Sequence, residues 1–159
     1  MIIIKLETGG ILELSLDSLV GAKLSGLELH RAIFDSFNLS NVDFTGSNLR
    51  NASLNYSLLN GAVMHRVLLM NATLIGAQVF EADLTCAGAI GADFTDANLS
   101  GSNLRDADVY GAIFTNANLC DVNFNVKRLD GAILVGAAYN DETVWPKGFD
   151  PKLAGAIKV

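Results

Sequence analysis

The chain has 159 residues, of which 50% are hydrophobic, 8% aromatic and 18% charged, and its formal net charge is −6. This apolar content is enough for one folded domain and excludes a disordered chain, while the acidic balance leads us to expect no direct binding to nucleic acid. No apolar run is long enough for a membrane-spanning helix, the first residues do not resemble a signal peptide, and two cysteines are too few for a disulfide framework, so we expect a soluble, cytoplasmic protein.

The first twenty residues show the apolar alternation of β-strands. Two short runs alternate in this way, and Thr8-Gly9-Gly10 between them is typical of a tight turn. The alternating apolar residues are Ile2, Ile4, Leu6, Leu12, Leu14 and Leu16. The pattern predicts a β-hairpin over residues 1–20 whose second strand leads into the segment that follows.

A repeat of five residues occupies most of the chain. From Gly21 to Asn140 the sequence divides without a gap into 24 blocks, whose fourth residue, the centre, is Leu or Phe in 19 and whose second residue is Ala, Ser or Val in 21. Apolar residues that fall two and then three apart fit neither a helix nor a plain strand. They predict a short extended segment that buries one small and one large side chain, followed by a turn rich in Gly, Asn and Asp. Four turns close a square coil of twenty residues.

Individual blocks carry a recognisable motif. Glu81-Ala82-Asp83-Leu84-Thr85 and Asp96-Ala97-Asn98-Leu99-Ser100 match the pattern A-(D/N)-L-X-X, and on these blocks the chain resembles the pentapeptide-repeat proteins. The resemblance implies an all-β fold, a right-handed quadrilateral parallel β-helix of about six coils that is capped at both ends. The unbroken register of five excludes the six-residue left-handed β-helices of acyltransferases, and the lack of long, variable coils excludes pectin-cleaving β-helices.

Residues twenty apart are expected to stack in columns along this rod, which would be roughly 29 Å long at one β-ladder spacing per coil. We number its four sides by their first centres, which are Leu24, Leu29, Phe34 and Leu39. The small position on the third side is Ala at all six levels, because only small side chains fit between large neighbouring centres.

Some residues depart from the repeat. Leu27 and Phe37 are large at the small position, which predicts a wider or irregular first coil. Ala89 is small at a centre and predicts unfilled volume, unless the neighbouring Phe94 fills it. Lys127 would point inward if the register held, and because burying an unpaired ammonium is costly, we expect Val126 to turn inward instead, with a local bulge.

The repeats end after Tyr139, and the tail that follows contains the single tryptophan and both prolines. It resembles the closing segment of many cyanobacterial pentapeptide-repeat proteins, which implies that Trp145 and Phe149 lie over the last coil. We therefore divide the chain into an N-terminal hairpin cap at 1–20, a β-helix at 21–140 and a C-terminal capping segment at 141–159. Both caps protect sheet edges that would otherwise promote aggregation.

No group of residues in the sequence suggests catalysis. His30 and His65 fall on different sides and levels, where we expect exposed surface histidines, and Cys86 and Cys120 fall near different corners, about two levels apart and beyond disulfide reach. No phosphate-binding loop occurs, and no two carboxylates share an apolar pocket, as acid–base catalysis would need. We therefore expect a protein that is not an enzyme and that holds no cofactor and no metal.

Acidic residues are concentrated between residues 81 and 121, where Arg105 is the one base and the net charge is −6. Some pentapeptide-repeat proteins resemble duplex DNA and bind type II topoisomerases, so the resemblance implies a DNA mimic directed at DNA gyrase as one alternative. We favour solvated turn positions, because these acids point to all sides. The chain also lacks the loop insertions and the C-terminal dimerisation helix of the topoisomerase-binding members.

An apolar cluster is predicted on the second side. The outward residues before its centres are Glu28, Asn48, Leu68, Gly88, Asp108 and Arg128, and those after them are His30, Arg50, Met70, Ile90, Tyr110 and Asp130. Leu68, Met70, Ile90 and Tyr110 thus form a candidate face for a protein partner or for self-association, because contiguous exposed apolar surface marks interaction sites. The alternative is that they merely stack along the ladder. Weaker groupings are Ile113, Ile133 and Val135 on the third side and Leu58 with Phe80 on the fourth.

Overall fold

The computed structural model describes residues 1–159 and contains few regular elements, all of them short strands. The strands are β1 (Ile2–Leu6), β2 (Ile11–Leu14), β3 (Ala32–Ile33), β4 (Ala138–Tyr139) and β5 (Ile157–Lys158). One sheet has the order β2-β1-β3 with antiparallel pairing, and a second joins β4 and β5 in parallel. No helix in the structure is long and apolar enough to cross a membrane.

The repeat region is held together by parallel bridges between residues twenty apart. These bridges run from Lys23↔Asp43 to Asn118↔Ala138, and each involves the residue that precedes a centre. The backbone bonds alternate in direction, for example from Leu24 N–H to the Asp43 carbonyl at 2.8 Å and from Asp43 N–H to the Ala22 carbonyl at 2.9 Å. Four blocks therefore advance the chain by one layer, which gives a β-helix-like fold as the repeat predicts.

Corners between blocks have left-handed backbone geometry. The first residue of every block has a positive φ, with the single exception of Val126, and 13 of these residues are not glycine. The small residue that follows donates its N–H to the preceding centre, as Ala52 does to the Leu49 carbonyl at 3.1 Å. A positive φ at the third position of a four-residue turn explains why Gly, Asn and Asp recur there.

The core follows the inward positions of the repeat. Every centre is buried except Leu129, which is half-buried, and stacked phenylalanines such as Phe94 and Phe114, with ring centroids 5.0 Å apart, fill the interior. The bulge predicted near Lys127 is confirmed, because Val126 is buried and Lys127 is exposed. Ala89 is buried, and neither of the two surface grooves lies beside it.

The sequence predicts an irregular first coil from Leu27 and Phe37, but the backbone pairing of this coil with the next one is regular, so the prediction is wrong for the ladder. Glu28↔Asn48 and Asn38↔Leu58 keep the spacing of twenty next to these residues. Both large side chains are half-buried and pack against the core instead. The chain accommodates them by partial exposure at the end of the rod, where no coil lies below.

The predicted N-terminal hairpin is present, with Ile2 opposite Leu14 and Lys5 opposite Ile11. The sequence did not predict how it docks. It is β1 that pairs with the first coil, antiparallel to β3, through Lys5↔Ile33 and Leu6↔Ala32. Ile4 is fully buried, so the hairpin adds to the core and also covers part of the open end.

The C-terminal tail extends the ladder beyond the repeats. Val144 pairs with Asn123, and β5 pairs with β4 through Ala138↔Ile157, although the tail has no five-residue pattern. Trp145 packs against Phe124, Tyr139 and Phe149 with ring centroids 5.1, 5.5 and 5.4 Å away, which confirms its predicted place over the last coil. The domain boundaries after residues 20 and 140 stay predictions.

Candidate functional site

The second side is built by one continuous ladder. Parallel bridges link Glu28 to Asn48, and then in turn Leu68, Gly88, Asp108 and Arg128. The residue after each centre is fixed by its carbonyl, which accepts the N–H of the corner residue one coil below. Met70, Ile90, Tyr110 and Asp130 all accept such a bond, at 2.9 to 3.0 Å. The two outward columns that the sequence predicts are therefore regular over the length of the side.

The apolar residues predicted for this side differ in their exposure. Tyr110 is 47% exposed and Met70 is 36% exposed, whereas Leu68 and Ile90 are half-buried. The Leu68 side chain lies over Gly88, whose missing Cβ would be 3.6 Å from Leu68 Cδ2. The structure thus places all four residues on neighbouring levels of one side, with Leu68 packed over Gly88.

The C-terminal end of this side carries a locked polar cluster. Arg128 Nε donates to Asp108 Oδ1 at 2.9 Å and Nη2 donates to Asp108 Oδ2, while the guanidinium lies over the Tyr110 ring, 5.0 Å from its centroid. The hydrogen bond from Arg128 lowers the pKa of Asp108 and raises the pKa of the guanidinium, so both groups stay charged near neutral pH. The paired charges and the aromatic ring form a rigid rim beside the apolar residues.

The N-terminal end of the same side carries a second polar group. Asn48 Nδ2 donates to Glu28 Oε2 at 2.6 Å, and Asn48 Oδ1 accepts the Arg50 N–H at 3.2 Å. His30 Nε2 lies 3.1 Å from Asn51 Nδ2. Glu28, His30 and Arg50 are all exposed to solvent, so this end can exchange its contacts with water for contacts with a partner.

The remaining candidate residues stay apart. His30 is exposed as predicted, but His65 is half-buried with Nδ1 2.8 Å from Thr85 Oγ1, so the prediction of an exposed His65 is wrong. Cys86 and Cys120 are half-buried free thiols. The pKa of Cys120 is raised, mainly by burial and to a smaller extent by the negative charge of Asp121. No cluster of three or more His, Cys, Asp or Glu side chains is placed to hold a metal ion.

The acidic residues between 81 and 121 are distributed around the rod. Asp83 and Asp93 are each tied to the threonine two residues later by bonds of 2.6 to 2.9 Å from its N–H and hydroxyl, and Asp108 is paired with Arg128. The remaining acids are at corners, with positive φ. They are Glu81, Asp96, Asp106 and Asp121. The structure therefore does not bring the seven carboxylates together.

Two open grooves flank the N-terminal hairpin. One, of about 320 Å³, is lined by Ile2, Leu19, Ser36, Phe37 and Asn38. The other, of about 220 Å³, lies across Phe37 and is lined by Ile3, Lys5, Ile33 and Asp35. Neither contains a nucleophile paired with a base, so these grooves offer surface for contact and no arrangement for chemistry.

Sequence reasoning missed two features of the second side. It placed Asp108 and Arg128 in the same outward column without predicting that they touch, although their spacing of twenty indicates the contact between them. It also treated Ile90 as exposed to the same degree as Tyr110. The half-burial of Ile90 depends on how neighbouring side chains lean, for which the five-residue pattern contains no signal.

Comparison with known proteins gives consistent matches. The sequence model of pentapeptide repeats matches in 8 copies, over residues 18–51, 47–85 and 90–125. HetL, a pentapeptide-repeat protein involved in heterocyst differentiation regulation in the cyanobacterium Nostoc sp. strain PCC 7120, is 21% identical over 85% of this chain and 71% of its own, with a TM-score of 0.54. No curated protein sequence matches the chain.

Two further solved structures are similar. Full-length QnrB1, a plasmid-mediated fluoroquinolone resistance protein, is 16% identical over 89% of this chain and 91% of its own, with a TM-score of 0.60. Rfr23, a pentapeptide-repeat protein from the cyanobacterium Cyanothece 51142, is 31% identical over 79% of this chain and 89% of its own, with a TM-score of 0.37. The matches to HetL and QnrB1 support the fold alone.

Proposed function

Because the chain belongs to the pentapeptide-repeat family, we propose that it is a non-enzymatic binding protein, which holds a macromolecular partner on the second side of a right-handed quadrilateral β-helix of about six coils. A solenoid of this kind presents long, flat, rigid sides, and its backbone changes little when a partner docks. Such a protein acts through its surface and needs no cofactor.

One observation supports the second side in particular. Leu68, Met70, Ile90 and Tyr110 occupy three consecutive levels, and charged groups are present at both ends of the same side. An apolar centre with a polar rim is the usual anatomy of a protein interface, and Met, Tyr and Arg are enriched in such interfaces. Leu68 and Ile90 are half-buried, so they have less rotamer freedom left to lose on binding than fully exposed side chains have.

Affinity capture with matched variants tests the proposal. The bait is the full chain, compared with the second-side variant Met70→Ser/Ile90→Thr/Tyr110→Ser and with the third-side control Ile113→Thr/Ile133→Thr/Val135→Thr. We expect a protein from the native host to be retained by the wild type and the control and lost with the second-side variant. Circular dichroism and thermal melting establish that both variants fold. Equal retention by all three baits would contradict the proposal.

The acidic segment at 81–121 motivates a second candidate, a DNA mimic that binds DNA gyrase. Its support is weaker, because Asp83, Asp93 and Asp108 are already bound within the chain, and the other four carboxylates are spread over three corners of the rod, with Glu81 and Asp121 two coils apart on the same corner. A DNA mimic needs rows of free carboxylates along one surface. We therefore rank this function below partner binding on the second side.

A further inference from the structure

We propose that the second side pairs with the second side of another copy of this chain, with the two rods antiparallel. The inference rests on the proposed function, since it names the partner of the same surface. It assumes a two-fold axis that lies in the interface, perpendicular to the rod, and crosses the side midway between Met70 and Ile90. Such an axis places each residue of the two outward columns opposite a defined residue of the second copy.

At the two ends of the interface this arrangement brings Glu28 opposite the second copy's Arg128, so opposite charges meet there. His30 faces the second copy's Asp130, whose carboxylate can accept a hydrogen bond from an imidazole N–H. Because Arg128 is already held by Asp108, and Glu28 by Asn48, the four groups form a network in which acidic and basic or amide groups alternate. The two-fold axis repeats this network at the other end, so the dimer contains two contacts between Glu28 and Arg128.

At the centre the arrangement brings apolar groups together. Met70 faces the second copy's Ile90, and Leu68 faces its Gly88. Because Gly88 has no side chain to hold Leu68 of the second copy away, the two rods can approach closely at this level. One level further out, Arg50 faces the second copy's Tyr110, whose ring has that copy's own Arg128 over one face, so Arg50 can contact the opposite face or the edge.

The other three sides do not match themselves under the same operation. On the first side Lys23 would face Asn123, on the third Asp35 would face Val135, and on the fourth Leu58 would face Asn118. No pair of opposite charges forms on any of them. The self-complementarity is therefore a property of the second side and does not follow from the repeat itself.

The available area is sufficient for a weak specific dimer. A specific interface covers about 800 Å² on each partner, roughly a tenth of the surface of a small protein. The accessible surface of this chain is 7352 Å², so one of the four long sides can supply that area. We expect an equilibrium between monomer and dimer that is visible between about 1 and 100 μM, as interfaces at the lower end of this size range can be weak.

Sedimentation velocity of the full chain over this concentration range tests the pairing. We expect Ile90→Asp to abolish the dimer, because it buries two carboxylates opposite Met70. The control is Ile75→Asp on the third side, which changes another half-buried isoleucine at the same position of its block and should leave the dimer intact. If Ile90→Asp fails to fold, Glu28→Arg replaces it and should weaken the dimer at least tenfold, with the exposed charge reversal Lys23→Glu as its control.

Cross-linking determines the orientation. In a Cys86→Ser/Cys120→Ser background, His30→Cys protein is mixed with Asp130→Cys protein and treated with a bismaleimide that spans about 10 Å, the separation of packed sheets. We expect cross-links between the two variants and none within either alone, because identical positions lie about 24 Å apart along antiparallel rods. Cross-linking of His30→Cys with itself would overturn the proposal in favour of parallel rods.

A wild-type chain that stays monomeric at every concentration would also overturn the self-pairing. That result is distinct from a failure of the proposed function. If the wild type captures a different protein that the second-side triple variant fails to retain, the second side does bind a partner. In that case only the identification of that partner as a second copy of this chain is wrong. If neither a dimer nor a captured protein depends on the second side, both proposals fail.

Discussion

At the scale of single residues, the corners show how the repeat tolerates side chains that a left-handed backbone disfavours. A positive φ costs a residue with a Cβ about 1–2 kcal/mol, and asparagine and aspartate tolerate it best. Tyr56, Arg66 and Cys86 nevertheless occupy corners with φ between 55° and 58°. The Tyr56 ring lies against the corner one coil above, at Gly76, so these two positions are coupled.

A glycine occupies that upper corner in several cases. A Cβ added to Gly76 would lie 2.7 Å from the Tyr56 ring. A Cβ added to Gly61, Gly91 or Gly136 would lie 2.4 to 2.6 Å from the side-chain Oδ1 of the asparagine twenty residues earlier, which is Asn41, Asn71 or Asn116 respectively. Real Cβ atoms do not approach so closely. Glycine twenty residues after a large corner residue therefore serves both the turn and the side chain below it.

We predict that Gly76→Ala destabilises the protein more than Gly46→Ala does. The two glycines have nearly equal φ, 64° and 65°, but nothing lies within 4 Å of a Cβ at Gly46. Gly46→Ala should cost about 1–2 kcal/mol for backbone strain alone. Gly76→Ala should cost about 1 kcal/mol more, because Tyr56 must leave its rotamer. Urea unfolding of both variants measures the difference.

The double variant Tyr56→Ala/Gly76→Ala is the control. Removing the ring removes the contact, so the effect of Gly76→Ala measured in the Tyr56→Ala background should fall to that of Gly46→Ala. An unchanged effect in this background would show that the cost at Gly76 comes from the backbone and that the two corners are independent.

At the scale of elements, the sequence predicts what the repeat controls. The inward centres, the turns at block starts and the bulge at Lys127 all follow from side-chain size, turn preference and the cost of burying an ammonium. The hairpin is also predicted, because apolar alternation continues through Leu14. The side-chain pattern does not predict how the backbone pairs at the two ends of the rod.

Both ends illustrate this limit. Antiparallel docking of β1 on β3 is set by backbone hydrogen bonds, such as the one from Glu7 N–H to the Arg31 carbonyl at 3.0 Å. No repeated side-chain pattern in the sequence marks this pairing. In the tail, Val144 and Ile157 join the ladder although their partners, Asn123 and Ala138, lie 21 and 19 residues before them. A search for a period of five cannot find these contacts. On the second side, likewise, the columns were predictable, but the position of Arg128 over Tyr110 was not.

Deleting residues 141–159 should leave the C-terminal end of the rod as an unpaired sheet edge that associates with other copies of the chain. The deletion removes β5 from β4 and takes Trp145 away from Phe124 and Tyr139, so backbone donors and apolar side chains of the last coil are left uncovered. We expect the truncated chain to melt at a lower temperature and to form species larger than a dimer. Light scattering after size-exclusion chromatography measures this, in an Ile90→Asp background that prevents pairing through the second side.

Trp145→Ala in the full-length chain separates the two contributions of the tail. It removes the aromatic contacts but keeps the backbone pairing of β5, so we expect destabilisation of about 3 kcal/mol without large assemblies. If the truncated chain remains monomeric with an unchanged melting temperature, the tail does not act as a cap. If Trp145→Ala assembles as readily as the truncated chain, side-chain cover and not edge pairing is the protective feature.

At the scale of the whole molecule, charge and shape act together. The rod is acidic overall, yet its carboxylates are spread over sides and corners, and several are hydrogen-bonded within the ladder. The second side, by contrast, has an acidic and a basic group at each end and an apolar centre. A surface of that kind recognises a complementary surface of mixed charge, and a uniformly basic one is the wrong partner.

The absence of a continuous acidic surface predicts the behaviour of the protein toward DNA gyrase. A protein that competes with DNA must present carboxylates at intervals along one face, because the enzyme recognises rows of phosphates. Within 81–121, Asp96 and Asp106 lie at different corners, and Asp108 is neutralised by Arg128. We therefore expect no inhibition of supercoiling by gyrase at micromolar concentrations of this protein.

A supercoiling assay with relaxed plasmid measures this outcome, with serum albumin at equal concentration as the control for a generally acidic protein. Inhibition by this protein would contradict the prediction, and equal inhibition by albumin would assign that effect to net charge alone. Inhibition by this protein but not by albumin is tested for a specific origin with the variant Asp96→Asn/Asp106→Asn/Asp121→Asn. These substitutions keep the turn-forming shape of the corner residues and remove only their charge, so the fold should be unaffected. Loss of inhibition in this variant would show that carboxylates on separate corners can act together on one enzyme, and the DNA mimic would then replace partner binding on the second side as the best-supported function.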